Sequence, residues 1–252
     1  MRTIILGSGS KGNSTLLIGD SKKILIDVGF SYPQMLKNLS KYEINPMDID
    51  GIILTHTHKD HVLGLSSFVK KANTKVYTNN LMYEEVVKII NEDNIIINDE
   101  AYNIGEFNIE PFRTSHDAKG SCGYIINDNF ASMVYVTDTG YINQDNLLKL
   151  HNKNLYIFES NHDINMLMTG PYPYILKQRV VSDKGHLSNE MAGNYLKEII
   201  GDKTKKIILA HLSETNNTHE LAIKTVKDII GDKIYLDAAY QDESMDIGDI
   251  ND

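Results

Sequence analysis

Residues 51–61 read GIILTHTHKDH, and this segment constrains the chain more than any other. Ile52, Ile53, Leu54 and Thr55 form an apolar, β-branched run that reads as a buried strand, and His56, His58, Asp60 and His61 follow at once. Alternation sends His56 and His58 to the same side of an extended chain, while Asp60 and His61 fall where the chain turns towards a helix. Imidazole and carboxylate are the ligands of zinc and related ions, so one loop of this kind can serve two metals. The single cysteine, Cys122, excludes an internal disulfide and cannot alone build a thiolate zinc site. A metal centre here is made of histidine and carboxylate, and Cys122 reads as a small buried hydrophobe.

The flanking pattern predicts the architecture. Apolar β-rich runs at 3–6, 14–18, 23–27, 51–55, 75–79 and 94–97 alternate with helix-period stretches at 32–42, 61–71 and 81–91. Beyond residue 100, Gly105, Gly123 and the Asn127–Asp128–Asn129 turn punctuate strands at 107–113, 122–126 and 131–137. Strand and helix then alternate through 154–159, 188–200, 206–210 and 218–230. Two groups of strands with helices around and between them predict one α/β domain, a four-layer αββα sandwich with two sheets face to face and helices outside. A chain of 252 residues with 41% hydrophobic and 23% charged content is long and apolar enough for that core, which excludes disordered and fibrous classes.

No apolar run approaches the roughly 18 residues of a membrane span, and Thr3–Leu6 is too short for a secretory signal. The expectation is a cytoplasmic protein with no membrane partner. Residues 237–252 contain Asp237, Asp242, Glu243, Asp246, Asp249 and Asp252 and no Lys or Arg, and they read as a solvated, disordered acidic tail. The domain then spans 1–236, with 25 positive and 28 negative charges, net −3, against −9 for the whole chain. Bound divalent cations would let such a near-neutral body attract phosphate. The segment GSGSKGN, Gly7–Asn13, contains a G-x-G-x-x-G directly after a strand. A dinucleotide site needs a helix next, yet Ser14–Ile18 is β-rich, so this segment reads as a tight turn between strands.

Further polar outposts each follow an apolar run: Asp27 in DVG, His116 in TSHD, Asp138 in TDTG and His211 in LAHLS. Taken singly, each is ordinary for a strand end. In this order, after the unbroken H-x-H-x-D-H of His56–His61, they resemble the metallo-β-lactamase fold superfamily. That resemblance implies one metal on His56, His58 and His116, a second on Asp60, His61 and His211, and Asp138 bridging them. It makes Asp27 the acceptor of a ligand histidine's free N–H. The superfamily's redox di-iron plan has Glu where His58 stands, so hydrolysis is implied.

Finer marks are GSGSKGN, SHD, TDTG, ESNHD at 159–163, PYPYILKQRVVSDKGHLSN at 171–189 and AHLSETNN at 210–217. Together they resemble the bacterial YycJ (WalJ) family of 5′ to 3′ DNA exonucleases. Only 47 residues separate Asp138 from His186, too few for the domain inserted in β-CASP nucleases, and 117–137 leaves no room for the arm of transfer-RNA 3′-processing enzymes. The resemblance also implies that His186, which otherwise reads as a histidine at a helix start, faces the scissile phosphate and that Asp60 and His186 serve catalysis; Glu159, at the end of the strand NLYIFES, reads as the carboxylate that orients and charges His186. His162 reads either as a residue behind the ligands or facing phosphate, or as a helix start. His151 and His219 read as exposed. Tyr172, Tyr174, Lys177 and Arg179 mix aromatic and basic character as a substrate-binding group would, and a partly buried helix with snorkelling lysine gives the same pattern.

The reading is a phosphodiesterase with two divalent ions, Zn or Mn, acting on DNA. Its alternatives are a cyclic-nucleotide or other small-molecule hydrolase of this fold, thioesterase and lactonase included, and a non-catalytic metal-binding regulator. A homodimer stays open.

Overall fold

A computed structural model describes residues 1–250. In chain order the elements are β1 (Arg2–Gly7), β2 (Ser14–Ile18), β3 (Lys23–Ile26), α1 (Tyr32–Ser40), β4 (Gly51–Ile53), α2 (Lys59–Val62), α3 (Leu65–Ala72), β5 (Lys75–Thr78), α4 (Asn80–Val86), β6 (Ile95–Ile97), β7 (Tyr102–Ile104), β8 (Phe107–Arg113), β9 (Cys122–Asn127) and β10 (Ser132–Val136). There follow α5 (Gln144–Leu150), β11 (Leu155–Glu159), α6 (Ile164–Thr169), α7 (Tyr174–Val180), α8 (Asn189–Ile199), β12 (Lys206–Ala210), α9 (His219–Ile230), β13 (Tyr235–Ala238) and β14 (Met245–Asp249). Single turns of 3₁₀ helix stand at Pro46–Asp48 and Glu92–Asn94.

Two seven-stranded sheets run in the orders β14-β1-β2-β3-β4-β5-β6 and β13-β12-β11-β10-β9-β8-β7. In each, one half is antiparallel and the other parallel: β3 through β6 in the first sheet, β10 through β13 in the second. The parallel strands explain the continuous apolar runs in the sequence, because both of their faces are covered. On β10, Met133 and Tyr135 join the core between the sheets, while Val134 and Val136 join the core under α5, α8 and α9. Leu155 and Ile157 divide from Tyr156 and Phe158 on β11 in the same way. Helices α1, α3 and α4 cover the first sheet with Met35, Leu39, Leu65, Phe68, Met82 and Val86, so the predicted four layers are present.

Two expectations are corrected. The stretch 61–71 is not one helix, because α2 and α3 part at Gly64, where a Cβ would lie 2.1 Å from the carbonyl oxygen of Phe30. The acidic segment read as a disordered tail is ordered through residue 250: β13 pairs with β12, and β14 pairs antiparallel with β1. Alternation is hard to see there because the buried apolar residues are few, Ala238, Ala239, Ile247 and Ile250, while Asp246 pairs with Arg2. Asn251 and Asp252, the last residues of that expected tail, lie outside the described residues. Ile247→Ala is therefore expected to destabilise the protein by about 2–3 kcal/mol in denaturant unfolding without changing its activity. An unchanged midpoint would show that β14 contributes nothing to the sheet.

No helix of the described residues is long and apolar enough to cross a membrane.

Candidate metal centre

The parallel halves of the two sheets point their carboxyl ends into one cleft, where open α/β sheets place ligands. Asp27 follows β3, His56 lies three residues past β4, Asp138 two past β10, Glu159 ends β11 and His211 follows β12. Asp27, Asp138 and His211 have left-handed backbones, with φ of 60°, 55° and 56°. Such conformations cost roughly 1–3 kcal/mol each and persist where packing overrides them, often at functional sites.

Among the described residues, the side chains form four overlapping groups of possible donors. One donor atom each from His56, His58 and His116 lies within 4.8 Å of the others, and the same holds for Asp60, His61 and His211, for His56, His61 and Asp138, and for Asp138, Glu159, His186 and His211. His58 Nδ1 and His116 Nε2 face each other at 3.2 Å. Asp138 Oδ2 stands 3.2 Å from His61 Nε2, and Asp60 Oδ2 is 3.5 Å from both His61 Nε2 and His211 Nε2. Three buried atoms at the heart of this group, His56 Nε2, His211 Nε2 and Asp138 Oδ2, have no hydrogen-bond partner. Buried polar atoms are normally paired, and converging lone pairs without partners are what a divalent cation satisfies. The residues fit metal.

Their outward atoms are fixed from behind. Asp27, fully buried, accepts His61 Nδ1 at 2.7 Å and also the Thr55 N–H and hydroxyl. Glu159 Oε1 accepts from His186 Nδ1 at 2.8 Å and from His211 Nδ1 at 3.0 Å, while its Oε2 accepts the Thr139 N–H. This charge field is unequal. Burial pushes His56 well down; around His61, burial is overcome by Asp138 and Asp27, which hold it well above the ordinary value. His211 is likewise lifted against burial, to about 10, by Asp138, Asp60 and Glu159. Glu159, which burial alone would raise, is drawn down to about 2 by His186 and His211.

Other expected residues divide. His186 lines the cleft with its ring centroid 5.2 Å from those of His116 and His211. Tyr172 and Arg179 also line it, but Tyr174 points to solvent and Lys177 Nζ is occupied by the carbonyls of Met168 and Gly170, so the bland reading of a snorkelling helix lysine holds there. His162 is buried behind the site beside Ser188, away from the cleft lining, and burial depresses it to about 4. His219 is partly buried rather than exposed, stacked on Tyr240.

Sequence reasoning missed several neighbours. Asp117 binds Arg179 at 2.7 Å and comes within 3.6 Å of His58 Nε2, and Ser10, Asn161, Lys184 and Ser213 line the cleft. Asn13, read only as part of a turn, reaches His61 and Asp60. The SHD and ESNHD marks carried Asp117 and Asn161 without a geometric reason to single them out.

The family model described as beta-lactamase superfamily domain matches residues 22–212. Exodeoxyribonuclease YycJ of Bacillus anthracis is 36% identical over 234 residues, covering 91% of this chain and 89% of that protein. The chain belongs to the metallo-β-lactamase superfamily, in its YycJ/WalJ branch. Exodeoxyribonuclease WalJ of Streptococcus pneumoniae serotype 2 is 37% identical, with 88% of this chain and 85% of the relative covered. Among solved structures, the metallo-β-lactamase fold protein YhfI from Bacillus subtilis superposes with a TM-score of 0.74 at 21% identity, over 97% of this chain and 99% of the other. Membership makes the protein a metal-dependent hydrolase of the phosphodiesterase and nuclease type, and its clustered histidines and aspartates are suited to divalent metal.

Within this centre, Asp27→Asn keeps shape and tolerates the left-handed backbone but removes the charge behind His61. It is expected to weaken metal binding about 10- to 100-fold, measured by competition with a metal-sensitive dye. Unchanged affinity would leave Asp27 a purely structural acceptor for Thr55.

Proposed function

We propose that the protein is a dinuclear metal phosphodiesterase that degrades DNA from the 5′ end. One ion would be held by His56, His58 and His116 and the other by Asp60, His61 and His211, with Asp138 available to both. The observation that carries the reading is the place of His186: it is tied by Nδ1 to Glu159, leaving Nε2 for a cleft of about 230 Å³ that the candidate ligands also line. Bound divalent cations, Zn or Mn, supply a nucleophile at neutral pH and a clamp for phosphate oxygens. The chain's own part is positioning and proton transfer. Glu159, by its bond to Nδ1, keeps His186 in one orientation, so that Nε2 can stabilise charge on the phosphate or hand a proton to the leaving oxygen. Arg179 and Lys184 add positive charge at the cleft, and Tyr172 offers a ring for a base. The exodeoxyribonuclease names of relatives matched over most of the chain support DNA as substrate.

A panel run with Mn and with Zn tests this: linear DNA labelled at either end, circular DNA, RNA, cyclic nucleotides, a thioester and a lactone. The expected result is stepwise release of nucleotides from the 5′ end of linear DNA, with circular DNA resistant. Hydrolysis of cyclic nucleotides without attack on DNA would replace the substrate assignment. No hydrolysis of any member would favour a metal-binding regulator.

A further inference from the structure

We infer that Asn13 is a positioning residue for the second ion site, Asp60–His61–His211, and that the GSGSKGN turn exists to hold it there. The inference rests on the two-ion reading above.

Asn13 is completely buried and all of its polar groups are engaged. Its side-chain oxygen accepts the Gly9 N–H at 2.9 Å and the Ser8 hydroxyl at 3.2 Å, which fixes the amide orientation and turns Nδ2 inward. Nδ2 then donates to the Gly9 carbonyl at 3.0 Å and stands 3.3 Å from Asp60 Oδ2 and 3.1 Å from His61 Nε2; the carboxylate oxygen has a lone pair to accept it and another to face a cation, whereas the one lone pair of His61 Nε2 would turn from Asn13 to the ion. Its main chain grips the same loop: Asn13 N–H donates to the Asp60 carbonyl at 2.8 Å, and Gly29 N–H donates to the Asn13 carbonyl at 2.9 Å. The approach is so close that a Cβ on Gly29 would lie 1.9 Å from the Asp60 carbonyl oxygen. The turn reaches the third donor through Ser8, whose hydroxyl accepts the His211 N–H at 2.9 Å and so helps to hold that residue's left-handed backbone.

The grip is one-sided. Among the described residues, the turn is braced by Tyr240, Gln241 and Glu214, and of the candidate ligands its hydrogen bonds reach Asp60, His61 and His211 but not His56, His58 or His116. The Asp60 side chain, partly exposed on the first turn of α2, can rotate, and an N–H donor at one oxygen leaves the other conformers less populated, which favours one arrangement for the cation. A plain β-turn needs no buried asparagine aimed at a carboxylate. The turn's sequence is accounted for by this second duty.

The test is a Mn²⁺ titration of metal-free wild-type and Asn13→Ala protein, read by calorimetry and by the paramagnetic coupling between paired ions, with activity followed against Mn²⁺ concentration. Wild-type protein is expected to take up two ions. Asn13→Ala should bind the first within about 3-fold of wild type and the second about 10- to 100-fold more weakly, losing the coupled signal at limiting metal. Its kcat should recover at excess Mn²⁺, which a general loss of structure would not allow. Ser8→Ala, which removes only the bond to His211 and one to Asn13, should shift the second ion in the same direction by less, and it serves if Asn13→Ala fails to fold. Equal weakening of both ions, or no change in either variant while wild type binds two, overturns the inference alone. A wild-type protein that binds fewer than two ions overturns the two-ion reading, and the inference with it.

Discussion

Asp138→Asn is expected to lower kcat/KM by about 10⁴-fold, roughly 5.5 kcal/mol of transition-state stabilisation, while the protein stays folded. Asparagine has nearly the same shape as aspartate and tolerates the left-handed backbone at this position, so the substitution isolates charge. The carboxylate lies 3.2 Å from His61 and within 3.8 Å of His116, His186 and His211, in a pocket almost closed to solvent. It is the anion held in common by both halves of the centre. Neutralising it leaves buried imidazoles without their shared counter-charge and, on the two-ion proposal, would take one oxygen ligand from the cations, where low dielectric makes each such term large. Elemental analysis of the variant should show fewer than two ions per chain. Activity within a few-fold of wild type would remove Asp138 from the centre.

His186→Ala should behave differently: metal content stays at the wild-type value and turnover falls about 10²- to 10⁴-fold, the range for a positioned acid or base. His186 Nδ1 is bonded to Glu159, which also accepts from His211 Nδ1, and it stands 3.8 Å from Asp138. Because Glu159 still holds His211 in the variant, the cation site is left standing. The loss should shrink on a nitrophenyl phosphodiester, whose leaving group needs no proton, if His186 is the donor. An equal loss on both substrates assigns charge stabilisation instead. Loss of one ion would make His186 a ligand, and full activity would return it to an ordinary histidine ahead of α8.

The site was legible to the extent that strand ends are. His56–His61, His116, Asp138 and His211 each follow a run whose period or β-branching marks a strand, and the two sheets bring those ends together. Asp27 was legible for the same reason. What the pattern could not carry was contact between loops far apart in sequence. Asn13 sits in a segment whose glycines announce a turn, and nothing local shows that the turn packs on residues 60 and 61. Glu159 was linked to His186 from sequence, but its second bond, to His211, depends on the parallel pairing of β11 with β12. The fold's remaining surprise, β14, has the composition of a solvated end and gains its order from β1, which would otherwise be an open edge. Of the four residues expected to touch substrate, Lys177 and Tyr174 lie on faces of α7 that only packing against α6 and the cleft could decide.

The central claim, two cations on two three-residue sets, is tested most directly by anomalous scattering from crystals grown with Mn²⁺. The account predicts two peaks about 3.5–4 Å apart, one among His56, His58 and His116 and one among Asp60, His61 and His211, with Asp138 between. A single peak, or density away from these residues, would contradict it.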